Sequence, residues 1–271
     1  MSRVISIIQG RMSSSRLPGK ILAEIAGQPM LQRVIQRAGR AASVTETVFA
    51  TTTDPGDDPV AEYCDFSGIP CVRGSQFDVL DRYHQAARLA RAEVVVRITA
   101  DCPVIDPDLI DNVVKVLVEG GYDFTCNRLP PPWRRTYPIG LDVEACTFAA
   151  LEQAWEQARE PQQREHVMPF FYEGAVLEPV SRTLEAGGSP RGHRVALLHH
   201  TTDFGSYRWT VDTPEDLEFI RQVYARFEGR DDFTWTEVLE LVHAEPELMQ
   251  INAGVKHKTL KDIDERAAGQ T

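Results

Sequence analysis

Apolar residues in the first half of the chain fall into two alternating rhythms. Arg3–Ile8 is a β-rich run, and a loop rich in Ser, Gly and Pro follows it through Gly27. Pro29 then opens a predicted helix over Met30–Ala41, with Leu31, Val34, Ile35 and Ala38 on one face. Thr47–Ala50 reads as a second strand, Pro59–Phe66 as a short helix, Gly68–Val72 as a third short strand and Asp78–Arg91 as a long amphipathic helix. Glu93–Ile98, centred on Val94, Val95 and Val96, has the continuous apolar pattern of a strand buried on both faces. Asp106 and Pro107 supply an N-cap and a first-turn proline for a helix through Val118. This alternation predicts an α/β fold whose mostly parallel sheet is covered on both sides.

After Tyr122–Cys126 the pattern loosens. Residues 127–138 are rich in Pro and Arg and read as a loop. Phe148–Arg159 and Arg164–Tyr172 are helical, and strands are expected around Val176–Val180 and Arg194–Leu198. Thr213-Pro214-Glu215-Asp216 starts a helix that continues through Leu217–Phe227, Trp235–His243 forms another, and Ala267–Thr271 reads as a frayed tail. With no internal repeat and no long linker, one sheet domain with an inserted or appended subdomain is expected.

Composition narrows the classes. A chain of 271 residues with 42% hydrophobic and 25% charged residues has an ordinary globular make-up, which excludes collagen, coiled coil and wholesale disorder. Its net charge of −11 argues against a general nucleic-acid binder. Residues 1–40 nevertheless carry seven basic side chains and one acidic, which points to an anion held near that end. The five cysteines never form a C-x-x-C pair, so reduced thiols and no zinc site are expected. Val4–Ile8 is too short for a signal peptide, and no run approaches the ~18 apolar residues of a membrane span. A cytoplasmic location with no membrane partner follows as an expectation.

The most informative segment is Gln9-Gly10-Arg11-Met12-Ser13-Ser14-Ser15-Arg16-Leu17-Pro18-Gly19-Lys20, directly after the first predicted strand. In an open parallel sheet, ligands bind beyond the carboxyl ends of the strands. Backbone N–H groups of such a loop cradle phosphate oxygens, Arg adds bidentate contacts and Lys a point charge. It is not a P-loop, because Ser14 and Ile21 stand where that motif needs Gly and Ser or Thr, and no G-x-G-x-x-G occurs. A merely solvated basic loop is the bland alternative.

Gly10–Lys20 with Ile21-Leu22 resembles the N-terminal signature of the cytidylyltransferases that activate sugar acids, the 3-deoxy-manno-octulosonate and acylneuraminate enzymes. The resemblance continues in Arg97-Ile98-Thr99-Ala100-Asp101-Cys102-Pro103 and in Val211-Asp212-Thr213-Pro214-Glu215-Asp216-Leu217. The branch called spore coat polysaccharide biosynthesis protein F is also similar at Arg73–Tyr83, Gly140–Glu144 and Glu165-His166-Val167, so the likeness runs to about Lys258. It implies a three-layer, Rossmann-like sheet of the nucleotide-diphospho-sugar transferase type. Residues 1–260 would form one domain, with 127–200 as its substrate-binding and dimerisation portion, and 261–271 a tail. A homodimer is expected.

What the resemblance implies chemically is attack by an oxygen of a small acidic acceptor on the α-phosphorus of CTP, with pyrophosphate leaving. Gln9, Gly10, Arg11, Ser15, Arg16, Lys20, Thr99, Asp101, Arg73 and Ser75 would contact the nucleotide. Arg11, Arg16 and Lys20 would neutralise its β- and γ-phosphates. Asp101 and Asp212 would hold Mg²⁺, which favours one or two carboxylates plus phosphate oxygens and water; their bland readings are a turn aspartate and a helix cap. Asn127, Arg128, Tyr137, Asp142, Glu144, Glu165, His166 and Arg208 would meet the acceptor. Sugar-acid enzymes usually show an aromatic where Asp142 stands, so a 2-keto sugar acid is not carried over, and no residue stands out as a base. Trp133-Arg134-Arg135 either grips an anion or is an exposed loop, and His199-His200, His84 and His243 read as structural. A glycosyltransferase is the principal rival, but its D-x-D pattern occurs only at Asp106–Asp108, inside a helix start, and at Asp262–Asp264. A non-catalytic coat protein is the second rival.

Overall fold

The computed structural model describes residues 2–256; the expected tail and Asp262–Asp264 lie outside them. Its frame is a nine-stranded sheet built from β1 (Val4–Gln9), β4 (Glu46–Thr52), β5 (Cys71–Gly74), β6 (Val94–Thr99), β7 (Phe124–Cys126), β8 (Glu144–Thr147), β9 (Val176–Ser181), β10 (Leu184–Gly188) and β11 (Arg194–Leu198). The strand order is β5-β4-β1-β6-β8-β7-β11-β10-β9, and β2 (Glu24–Ile25) and β3 (Gln28–Pro29) form a separate small hairpin. β5, β4, β1 and β6 are parallel, so their carboxyl ends share one edge. Only β8 and β10 run against the rest. The expected mostly parallel α/β sheet is what the chain forms.

Apolar alternation divides the sheet into two faces. Val4, Ile8, Phe49, Val96 and Ile98 pack with α1 (Met30–Gly39), α4 (Pro107–Gly120), α8 (Pro214–Arg226) and α9 (Trp235–Ala244). Ile5, Ile7, Val48 and Val95 pack with α3 (Val79–Leu89), α5 (Phe148–Gln157) and α7 (Pro169–Tyr172) on the other face. Among the described residues no helix is long and apolar enough to cross a membrane.

Several boundaries move for local reasons. The strand expected at Gly68–Val72 is β5, because Gly68 (φ 67°) makes the left-handed turn after α2 (Asp58–Phe66). The helix expected over Arg164–Tyr172 splits into α6 (Pro161–His166) and α7, since Pro169 starts a new turn and Val167 takes φ 68°. β8 and β10 were not anticipated. Each is short and poor in β-branched residues, and pairing with its neighbours makes it a strand.

Four of the seven cations of residues 1–40, Arg3, Arg33, Arg37 and Arg40, make contacts that hold the fold together, so the charge excess overstates what the loop carries. Arg33 donates to the Gly229 carbonyl and pairs with Asp231 at 2.6 Å. Arg37 donates to the carbonyls of Ile105, Asp231 and Phe233, tying α1 to the loop before α9. Arg3 pairs with Glu46. Of these seven cations, Arg11, Arg16 and Lys20 stand on the loop after β1.

His193 is expected to give this fold a pH dependence. It is buried edge-on to Phe170 and Phe171, with neither ring nitrogen hydrogen-bonded. Burial lowers its pKa, Asp123 opposes that effect and Arg191 adds to it. The folded state therefore binds fewer protons than the unfolded one, so this contribution is present above the unfolded value of about 6.5 and is lost as pH falls below it. Denaturant unfolding at pH 7.5 and 5.5 should show wild type losing more stability than His193→Leu; parallel profiles would count against this role.

Candidate active site

Gly10 begins the loop after β1 because nothing larger fits. A Cβ there would lie 2.7 Å from the Ala100 Cβ, and the Gly10 N–H donates to the Ala50 carbonyl. The loop then folds on the Met12 carbonyl, which accepts from the N–H groups of Ser14 (2.9 Å) and Gly19 (2.8 Å). Gly19 takes φ 73°, the left-handed region that favours glycine, and launches a single helical turn over Lys20–Leu22. Met12 N–H is held from below by Asp57, 2.7 Å away. Asp57 is 2% exposed and also accepts from Thr51 and Thr52.

The second half of the site arrives from far along the chain. Asp101 follows β6, and its carbonyl accepts from the Val211 N–H (2.9 Å) and the Thr210 hydroxyl (3.1 Å). That pair of bonds brings Asp212 beside Asp101. Thr213 caps α8 in a reciprocal capping box with Asp216, which leaves Asp212 available to the cleft rather than to the helix. Gly140 (φ 107°) packs against the same segment, where a Cβ would lie 2.6 Å from the Thr210 nitrogen.

Five charged side chains meet here. Lys20 Nζ lies 2.7 Å from Asp101 Oδ2, 3.0 Å from Asp212 Oδ1 and 2.7 Å from the Val211 carbonyl. Arg16 and Arg208 each reach Asp212 Oδ2 at 2.8 Å. Arg208 is also clamped on fully buried Asp216, with Nε and Nη2 both at 2.9 Å. Burial alone would lower the Lys20 pKa, but Asp101 and Asp212 outweigh it and raise it, so the ammonium stays charged. Burial alone would raise Asp212, yet Lys20, Arg208 and Arg16 hold its carboxyl well below the usual range. Burial and the adjacent Asp101 push the Cys102 thiol up, which keeps it neutral and unsuited as a nucleophile.

Lys20 is held on the carboxylate pair in this structure, with all three of its ammonium donors on protein acceptors. Arg208 likewise braces Asp212. The carboxylates suit a divalent ion, because hard oxygens from two separate segments converge on one cation position. Among the described residues no group of three or more His, Cys, Asp and Glu is poised for a metal. An ion here would complete its shell with substrate oxygens or water, as Mg²⁺ prefers.

Other candidates are dispersed. Gln9 and Thr99 end β1 and β6 as register partners, and Arg11 and Ser15 ride the loop. Arg73 sits two strands away, bonded to the carbonyls of Thr52 and Asp54 and to Asp58, while the Ser75 hydroxyl accepts from the Phe77 N–H. Glu144 pairs with Arg97 across β8 and β6, and Arg135 closes on Asp142, so neither carboxylate stands alone. Glu165 and His166 end α6, and burial lowers the His166 pKa. Arg128 is half-buried just after β7.

Two acceptor candidates are corrected. Asn127 is fully buried; its amide donates to the Leu141 carbonyl and accepts from the Val143 N–H, so it splints two backbone segments. Tyr137 is a core residue, packed edge-on against Trp235 and His200. Asp106, of the rival D-x-D, is 1% exposed, caps α4 and accepts from the Trp235 N–H. Asp57 and Asp216 were missed as site supports. The capping pattern Thr213-x-x-Asp216 signalled the second, whereas nothing local marks Asp57.

Comparison with known proteins shows the family of the chain. Residues 5–239 match the family model described as cytidylyltransferase. The spore coat polysaccharide biosynthesis protein SpsF of Bacillus subtilis is 30% identical over 254 residues, covering 91% of this chain and 97% of that one. A 3-deoxy-manno-octulosonate cytidylyltransferase of Anaeromyxobacter sp. (strain K) is 32% identical over 246 residues, covering 83% and 99%. The solved structure of a cytidylyltransferase from Leptospira borgpetersenii aligns with a TM-score of 0.81 at 28% identity, over 95% of this chain and 100% of that one. On the match over residues 5–239 and these likenesses along most of its length, the chain belongs to the cytidylyltransferase family.

Proposed function

We propose that the chain is a CTP-dependent nucleotidyltransferase that couples CMP to an acidic sugar, or to a related phosphate or phosphonate acceptor, and releases pyrophosphate. Surface polysaccharide or glycoconjugate biosynthesis is the setting that the names of its relatives support. The observation that carries the reading is the convergence of Arg16, Lys20 and Arg208 on Asp101 and Asp212 beyond the carboxyl ends of β1 and β6. An oxygen of the acceptor attacks the α-phosphorus while the bond to the bridging oxygen of the β-phosphate breaks. Such a transfer depends on positioning and charge neutralisation more than on covalent catalysis by the protein. Arg11 and Arg16, on the loop, meet the charge that builds on the departing pyrophosphate. Loop N–H groups orient the tail, and Arg208 keeps Asp212 ionised and aimed. Mg²⁺, when held by Asp101 and Asp212, supplies charge neutralisation at the α-phosphate. An acceptor phosphate or phosphonate is already ionised at neutral pH and needs no base.

The test is pyrophosphate release from CTP across a panel of acidic sugars, sugar phosphates and phosphonates. Binding alone gives a faster first answer. CTP with Mg²⁺ at about a hundredfold excess over its Kd should stabilise the fold by about 2.7 kcal/mol. At about 2–4 °C per kcal/mol, that raises Tm by roughly 5–10 °C. Stabilisation by UTP or a UDP-sugar, with no response to CTP, would overturn the proposal in favour of the glycosyltransferase reading.

A further inference from the structure

Asp101 Oδ2 and Asp212 Oδ1 aim at one point, and the Lys20 ammonium fills it, at 2.7 and 3.0 Å. The other Asp212 oxygen is already engaged by Arg16 and Arg208. The Lys20 side chain is only 9% exposed, and its third donor is bonded to the Val211 carbonyl. Its backbone is equally fixed, since the Lys20 N–H donates to the Leu17 carbonyl and the Lys20 carbonyl accepts from Ala23. Only the side chain is free to change place. Resting on the reading of Asp101 and Asp212 as a metal pair, we propose that Lys20 is the resident counter-ion of that pair, which a divalent cation must displace in order to bind.

The physical case is one of exclusion. An ammonium and a divalent ion cannot share the same two carboxylate oxygens, and their like charges repel strongly in a half-buried site. The ammonium also removes the repulsion that two adjacent carboxylates would otherwise suffer, so the nucleotide-free site is stable without a metal. Once displaced, Lys20 remains on the loop that carries Arg11 and Arg16, where its charge adds to theirs. A triphosphate arriving there favours the displaced lysine, and a displaced lysine favours the metal. Nucleotide and metal binding are thereby coupled, each strengthening the other.

Removing the lysine should therefore improve metal binding, which is the opposite of what a supporting role predicts. Mn²⁺ is titrated into the nucleotide-free protein, with the free ion read by electron paramagnetic resonance. Lys20→Met keeps most of the stem and removes the charge; it should bind Mn²⁺ about tenfold tighter than wild type. Lys20→Gln provides the same comparison should the methionine variant fold poorly. Adding Asp101→Asn to either variant should abolish the gain. Affinity equal to or weaker than wild type in the folded lysine variants would overturn the exchange, because Lys20 would then only brace the carboxylates. Mn²⁺ binding that survives Asp101→Asn in both backgrounds would instead overturn the metal-pair reading on which the exchange rests.

Discussion

Asp101→Asn and Asp212→Asn should each slow pyrophosphate release from CTP by about 10²–10³-fold, the loss typical when one preorganised electrostatic contact to the transition state is removed. Both substitutions keep the side-chain shape and remove a charge. Each also leaves Lys20 one carboxylate partner, so neither strands a buried ammonium without a counter-charge. Circular dichroism should remain that of wild type. The loss should fall on kcat and on the Mg²⁺ concentration needed for half-maximal rate, more than on binding of CMP, which lacks the leaving phosphates. Burial would raise the Asp212 carboxyl, but Lys20, Arg208 and Arg16 hold it well below the usual carboxylate range, so its contribution is present across the neutral range. Near-normal turnover of either variant at limiting Mg²⁺ would remove that residue from the metal pair.

The second large effect is expected at a residue that touches no substrate in this reading. Asp57 accepts from Met12 N–H (2.7 Å), the Thr51 hydroxyl (3.0 Å) and the Thr52 N–H (3.2 Å), and from the Thr52 hydroxyl as well. Asp57→Ala deletes this acceptor and leaves buried donors unpaired. Hydrogen bonds to a charged group contribute about 1.5–3 kcal/mol each and are not additive, so a total loss of about 3–5 kcal/mol is expected. That corresponds to a Tm lower by roughly 10 °C at 2–4 °C per kcal/mol. CTP affinity should fall as well, because Met12 is the point on which the loop closes. Asp57→Asn, which retains one acceptor oxygen, should lie between the two. If Asp57→Ala melts with wild type and binds CTP normally, the bonds at the Met12 carbonyl suffice to shape the loop.

Much of this protein is legible in the sequence because the relevant physics is local. Helix starts at Asp78, Asp106 and Thr213 are encoded within four residues, and each side chain caps its helix by accepting from the N–H three positions on. The buried strands β1 and β6 follow from continuous apolar runs. A glycine pair bracketing cations and hydroxyls singles out Gly10–Lys20, after the first strand, as the loop proposed here to meet phosphate. Three ordered motifs make the family resemblance specific. These features need no knowledge of what lies across the fold.

Tertiary structure decided which charges answer which. Lys20 is 81 and 192 residues from Asp101 and Asp212, and only the β1–β6 pairing and the Val211–Asp101 bond bring the three together. Arg33 and Arg37 carry the same local signature as Arg11 and Arg16, yet they bind carbonyls of the 229–233 segment because α1 packs against it. Asn127 and Tyr137 resembled acceptor ligands in a polar loop, but sheet closure turned one into a backbone splint and the other into core. β8 became a strand because β6 and β7 lie on either side of it, and its own residues have little strand preference. Caps and periodicity act within a turn or a strand and are written in order along the chain. The partners of charged side chains depend on strand order, which the whole sheet selects at once.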